Sequence, residues 1–242
     1  MTETTGITIA LPDGGSLPAA LAVPIGIPGP RPAVLVLHEA LGLNDDIRRI
    51  AGRFADAGYI ALAPDFLAGL GPKPICIARF VRSLARVGTG RAYRQLDAAK
   101  AWLAVRSDVA DRGIGVAGFC VGGGFALLYS AGASVDVVAP FYAAAPTDEV
   151  LAGICPVVAS YGGRDRIFGP HADRLEASLD RLGIEHEIRT YPSAGHSFMS
   201  RHSRVTSWIE ARLPTHGGYD ATAAEDAWRR TLDFFDRHLQ AA

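Results

Sequence analysis

The chain has 242 residues, of which 49% are hydrophobic, and a formal net charge of −1. That apolar content excludes an intrinsically disordered chain, and the balanced charge removes any whole-molecule pull toward nucleic acid or an anionic membrane, so the expected partner is a small molecule. The length suits a single large core, and one domain over residues 1–242 is expected.

The opening run, Met1-Thr2-Glu3-Thr4-Thr5, has no basic segment ahead of a long apolar stretch, and no window approaches the length that spans a bilayer. A cytoplasmic protein is therefore expected. Residues 6–10 and 17–23 are short apolar runs around the turn sequence Pro12-Asp13-Gly14-Gly15, which predicts an antiparallel hairpin. The proline- and glycine-rich stretch 24–32 reads as a surface connection. Four further apolar runs, 33–37, 59–63, 113–117 and 135–141, are too short for helices and predict buried parallel strands. Helical patterns lie between them. Residues 45–57 place Ile47, Ile50, Ala51 and Phe54 on one face, and residues 91–105 do the same with Leu96, Ala99, Trp102 and Leu103. Residues 156–161 and 187–191 supply two last strands, and 223–239 form a closing amphipathic helix with Trp228, Leu232 and Phe235. Alternating strands and helices predict an α/β fold, a mostly parallel central sheet with helices on both faces.

The chemistry centres on Gly115-Val116-Ala117-Gly118-Phe119-Cys120-Val121-Gly122-Gly123-Gly124, an apolar strand that breaks at glycine, presents one reactive side chain and restarts as a helix. This is the strand–turn–helix pattern of a nucleophile elbow, G-x-C-x-G in place of the commoner G-x-S-x-G. Gly118 and Gly122 fall where the tight turn leaves no room for a Cβ. A thiol here is a stronger nucleophile than a hydroxyl once ionised, and a helix N-terminus behind it favours the thiolate. Reactive groups of such sheets gather beyond the strands' carboxyl ends. Asp165 follows one strand through Gly162-Gly163-Arg164, and His196 follows the next through Pro192-Ser193-Ala194-Gly195. Nucleophile, acid, histidine is the chain order of an α/β-hydrolase fold. The loop after residues 33–37 would give one oxyanion N–H, from Ala40, and the residue after the nucleophile, Val121, the other. Glu39, beside Ala40, is read as an acceptor of the Cys120 proton, with a solvent-turned carboxylate as the plainer alternative. Cysteines at 76, 120 and 155 form no C-x-x-C pair, which argues against a disulfide framework and a cysteine-based zinc site.

These residues resemble the dienelactone hydrolase family over nearly the whole chain. The resemblance puts the family's cysteine at Cys120 in G-x-C-x-G-G, its aspartate at Asp165 in G-G-x-D, its histidine at His196 in A-G-H-S-F and its strand-end glutamate at Glu39. The stretch Ala61-Leu62-Ala63-Pro64-Asp65 is similar as well. It implies hydrolysis of an ester or lactone through a cysteinyl acyl-enzyme, with no metal or organic cofactor, in a monomer or small homo-oligomer. One departure concerns the two arginines that grip a substrate carboxylate in well-known members. The position after the histidine is Ser200, with Arg201 next to it. Residues 66–96 contain six basic residues and no acid; read as a helix, Ile77, Phe80, Leu84 and Val87 make an apolar stripe with Arg79, Arg82 and Arg86 opposite. A solvated cationic face is one reading. Recruitment of Arg79, Arg82 or Arg201 to a substrate carboxylate is the sharper one. The rival functions are a carboxylesterase or thioesterase with another acyl substrate, and a non-catalytic ligand-binding or redox-sensing protein.

Overall fold

A computed structural model describes residues 2–69, 82 and 88–239. Among these, eight strands form one sheet in the order β1-β2-β4-β3-β5-β6-β7-β8. The expected hairpin is β1 (Thr5–Ala10) and β2 (Ser16–Ala22), paired antiparallel, and β2 continues antiparallel onto β4 (Ile60–Pro64). From β4 onward every pairing is parallel, through β3 (Arg31–Leu37), β5 (Val109–Phe119), β6 (Val137–Phe141), β7 (Val157–Gly162) and β8 (His186–Tyr191).

Side chains of successive strand residues point to opposite faces, and both faces here are apolar. Ala33, Leu35 and Leu37 join one cluster with Leu96, Leu103 and Phe125; Val34 and Val36 join the other with Ile47, Phe54 and Phe235. The helices of the first face are α2 (Arg91–Ala104), α3 (Val121–Ser130) and α5 (His171–Leu182); those of the second are α1 (Asp45–Asp56) and α7 (Ala221–Leu239). Two short helices, α4 (Asp148–Leu151) and α6 (Arg204–Glu210), lie in the connections. Helix α1 shows how local sequence sets an element. The Asn44 side chain accepts from the Ile47 N–H at 2.9 Å, Asp45 and Asp46 occupy the first turn, and the predicted stripe is buried. Phe54 from that stripe packs on Trp228 and Phe235 of α7, with ring centroids 4.6 and 6.1 Å away.

The strand expected over 113–117 runs from Val109 to Phe119. Its first half carries Asp111 and Arg112, so hydrophobicity alone could not reveal it. Its register on β3 shifts between Arg31 and Ala33, and Gly113, at φ 133°, lets the strand bend there. No described helix is long and apolar enough to cross a membrane. The parallel arrangement brings the carboxyl ends of β3, β5, β7 and β8 to one rim.

Candidate active site

At the end of β5 the backbone turns through Cys120, whose φ of 54° and ψ of −118° lie where residues with a Cβ are rarely found. The flanking glycines explain how the turn closes. A Cβ on Gly118 would strike the Gly122 carbonyl, and one on Gly122 would lie 2.5 Å from the carbonyl oxygens of both Leu37 and His38. The Cys120 N–H is fixed by the Phe141 carbonyl at 3.1 Å. Strand, turn and helix α3 thus present a part-exposed sulfur at the rim.

His196 reaches the same place from the end of β8. Its N–H donates to Thr215 and its carbonyl accepts from Gly218, so residues 215–218 brace it from outside. Its Nδ1 lies 2.6 Å from Asp165 Oδ2, and the other Asp165 oxygen accepts the Ile167 and Phe168 N–H groups, each at 3.0 Å. Those two donors fix the carboxylate's rotation. Burial opposes charging of His196, but hydrogen bonds to Asp165 and Cys120 outweigh it and push its pKa up to about 9. Phe168 and Tyr142 confine the ring, with centroids 4.7 and 4.8 Å away.

Ala40 lies three residues beyond β3, and Val121 directly follows Cys120. Val121 opens α3, where first-turn N–H groups have no helical acceptor. Among the described residues neither the Ala40 nor the Val121 N–H has a backbone acceptor. The peptide carrying the Ala40 N–H is oriented by its other end: the Glu39 carbonyl accepts from Gly42 at 3.0 Å and from His38 Nδ1 at 2.7 Å. His38 Nε2 accepts the Phe66 N–H at 3.1 Å, so the proton sits on Nδ1, and burial holds the ring's pKa down. Glu39 is buried two residues beyond β3, and its Oε1 binds His202 Nε2 at 2.6 Å. Cys120 is among the groups that raise the His196 pKa, while Glu39 Oε1 is engaged by His202. The described residues include no group of three or more His, Cys, Asp or Glu able to hold a metal ion.

Residues 17–239 match the model of the dienelactone hydrolase family. The chain belongs to that family. A "Putative carboxymethylenebutenolidase" of Yersinia pestis is 30% identical, over 96% of this chain and 88% of that one. The carboxymethylenebutenolidase of Rhodococcus opacus is 29% identical, over 85% and 81%. A metagenomic dienelactone hydrolase-like promiscuous phosphotriesterase is 23% identical, covers 98% of this chain and all of that one, and superposes with a TM-score of 0.80, a likeness of fold. The α/β-hydrolase fold and a hydrolase activity on ester or lactone bonds follow from membership.

In this dienelactone hydrolase family member a cleft of about 330 Å³ opens beside Cys120, walled by Val121, Leu128, Ala144, Ala145, Pro146 and Phe168. None of these side chains is charged. Arg201 is exposed and lies elsewhere, its guanidinium 4.7 Å over the Tyr219 ring and bonded to that phenol at 2.9 Å. Arg82 is exposed, and Arg79 lies outside the described residues. Nothing in the sequence pattern singles out Tyr142, Phe168, His202 or Glu210. Tyr142 sits at φ 42°, its hydroxyl 3.0 Å from Ser200 Oγ; burial, then the charges of Glu39 and Cys120, push that phenol well above the usual tyrosine range.

Proposed function

We propose that the ester or lactone bond is cleaved through a cysteinyl thioester on Cys120. The Sγ atom attacks the acyl carbon as its proton passes to His196. The oxygen that becomes negative is held by the Ala40 and Val121 N–H groups. Collapse breaks the carbon–oxygen bond, and the imidazolium protonates the departing alkoxide, which in a lactone stays tethered as the opened arm. Water then attacks the thioester, giving its proton to His196, and the thiol leaves with the acid free. Asp165 holds the histidine with its proton on Nδ1, so Nε2 faces the sulfur.

The observation that carries this reading is the His196 Nδ1 to Asp165 Oδ2 bond of 2.6 Å, on a ring whose pKa Cys120 also helps to raise. Replacement of His196 by alanine removes the base that activates water, so it is expected to leave an acyl-enzyme visible by intact-mass spectrometry. A variant that turns over without such an adduct would remove His196 from deacylation.

A second reading concerns the substrate. The walls of the cleft formed by described residues are uncharged and favour an apolar group beside the scissile bond over a carboxylate-bearing one. For Arg201 to bind a carboxylate it must leave the Tyr219 ring. Comparing a carboxylate-bearing ester with its methyl ester tests this. A preference for the free acid that disappears in Arg82→Ala, Arg79→Ala or Arg201→Ala would restore the arginine reading.

A further inference from the structure

Helix α3 is buried on every side but one. Of its ten residues only Val121, Gly124 and Leu128 are part-exposed. Spacings of three and four residues put these on one helix face, and all three line the cleft beside Cys120. The stripe starts at the proposed oxyanion donor and runs about 10 Å down the helix to Leu128, at about 1.5 Å per residue. Gly124 differs from the two glycines before it. A Cβ on Gly122 or Gly123 would come within 2.5 or 2.9 Å of backbone carbonyl oxygens, whereas one on Gly124 would have the Ala144 carbonyl oxygen, at 3.9 Å, as its nearest described neighbour. Glycine inside a helix is less favourable than alanine, and described packing does not demand it here. What the missing side chain leaves is room in the cleft. The facing wall is Ala144, Ala145 and Pro146, and the Ala145 N–H donates to His171 Nδ1 at 3.1 Å, which fixes that wall to the start of α5.

Leu128 also lines a second cavity of about 350 Å³, whose walls include Tyr93, Tyr129, Asp97 and Glu149. Two carboxylates on the far side make that space a poor continuation for an alkyl chain, so the apolar path ends at Leu128. His196 does not line the cleft, yet the departing oxygen must meet His196, so the substrate arm that enters the cleft is the acyl arm. An extended chain advances about 1.3 Å per bond, and about 10 Å therefore takes up about eight carbons. We propose that Gly124 and Leu128 are specificity-determining residues that suit this hydrolase to esters of apolar, medium-length acyl chains. Gly124 keeps the passage open, and Leu128 closes its end. The inference deepens the reading of Cys120 as nucleophile and rests on it.

The test measures kcat/KM in the full chain for aryl esters of acetate, butanoate, hexanoate, octanoate and dodecanoate, all below their aggregation limits. The parent is expected to favour octanoate over acetate by about tenfold or more, since each methylene taken from water contributes about fourfold, and to fall away at dodecanoate. Gly124→Leu puts a side chain into the passage and is expected to lower the octanoate-to-acetate ratio by about tenfold or more. Leu128→Ala removes the end wall and is expected to raise the dodecanoate-to-octanoate ratio. A parent with no preference for the longer chain overturns the proposal, as does a Gly124→Leu ratio equal to the parent's. A Leu128→Ala profile that overlays the parent's overturns the end wall. Acetate esters of lengthening alcohols form the second arm. If Gly124→Leu discriminates among these and not among the acyl chains, the cleft holds the leaving group and the proposal fails. If Gly124→Leu does not fold, Gly124→Ala, whose Cβ makes only ordinary contact, is expected to lower the octanoate-to-acetate ratio in the same sense by about threefold, and an unchanged ratio there rejects the idea. Hydrolysis surviving in Cys120→Ala would defeat the nucleophile assignment, while the chain-length ratios of the parent and Gly124→Leu would still report what the cleft accepts.

Discussion

Replacing Asp165 with asparagine changes one atom in a side chain that is fully buried, and its effect can be worked out from the bonds around it. One Asp165 oxygen accepts two backbone N–H groups, from Ile167 and Phe168, and the other meets His196 Nδ1. An amide must keep its oxygen on the two N–H donors, since turning its NH2 toward them would set donor against donor. The NH2 therefore faces His196, Nδ1 becomes an acceptor, and the ring proton moves to Nε2, the nitrogen that must take the thiol proton. The imidazolium also loses its partner. The rise of the His196 pKa from 6.5 to about 9 corresponds to about 3 kcal/mol in favour of the charged ring, supplied by Asp165 and Cys120 against burial. Losing the Asp165 share together with the correct tautomer is expected to lower kcat by at least about a hundredfold. Thermal stability near neutral pH should fall as well, since the Asp165 share of the ion pairing that raises the His196 pKa is lost even though shape and the two backbone bonds survive. The assay is kcat for an aryl ester against pH, with the acylation burst resolved by stopped flow. An Asp165→Asn enzyme that kept a third or so of parental kcat with an unchanged pH profile would refute the tautomer argument.

Cys120→Ala is expected to abolish hydrolysis while the protein melts as the parent does, and turnover above background would identify another nucleophile. Gly122→Ala forces a Cβ to 2.5 Å from two carbonyl oxygens and should cost about 3 kcal/mol in denaturant unfolding as well as activity; parental stability would mean the elbow has room to spare. The His196 and His202 pKa values are raised on folding from 6.5 to about 9 and about 10, so their contribution is complete below 6.5 and is lost as pH climbs through those values. Calorimetric Tm should therefore fall from neutral to alkaline pH, less steeply in His202→Gln, and a flat profile in the parent would contradict the ion pairing.

The elbow was legible because its requirement is steric and local: two glycines around one residue, at the end of an apolar run. Asp165 and His196 were legible because a parallel sheet delivers strand ends to one rim, so a position just after a strand is already a position in space. His202 was not. It follows no strand, and its partner Glu39 is 163 residues away in the chain, brought to it by the path of residues 197–210 across the rim. Tyr142 was hidden for another reason, since a bulky residue at positive φ leaves no compositional trace. Arg79 and Arg82 were sought through charge imbalance, a signal blind to direction, and Arg201 through its place just beyond the His196 loop, where its guanidinium lies on the face of Tyr219.

The backbone at position 120 has one further implication. Its φ and ψ belong to a region that glycine enters freely and other residues enter at a cost of roughly 1–3 kcal/mol. A glycine there would yield a sturdier and inert molecule. Selection for thermal robustness alone would thus erase the thiol, and a stabilising screen run without an activity assay would reward the loss of the enzyme.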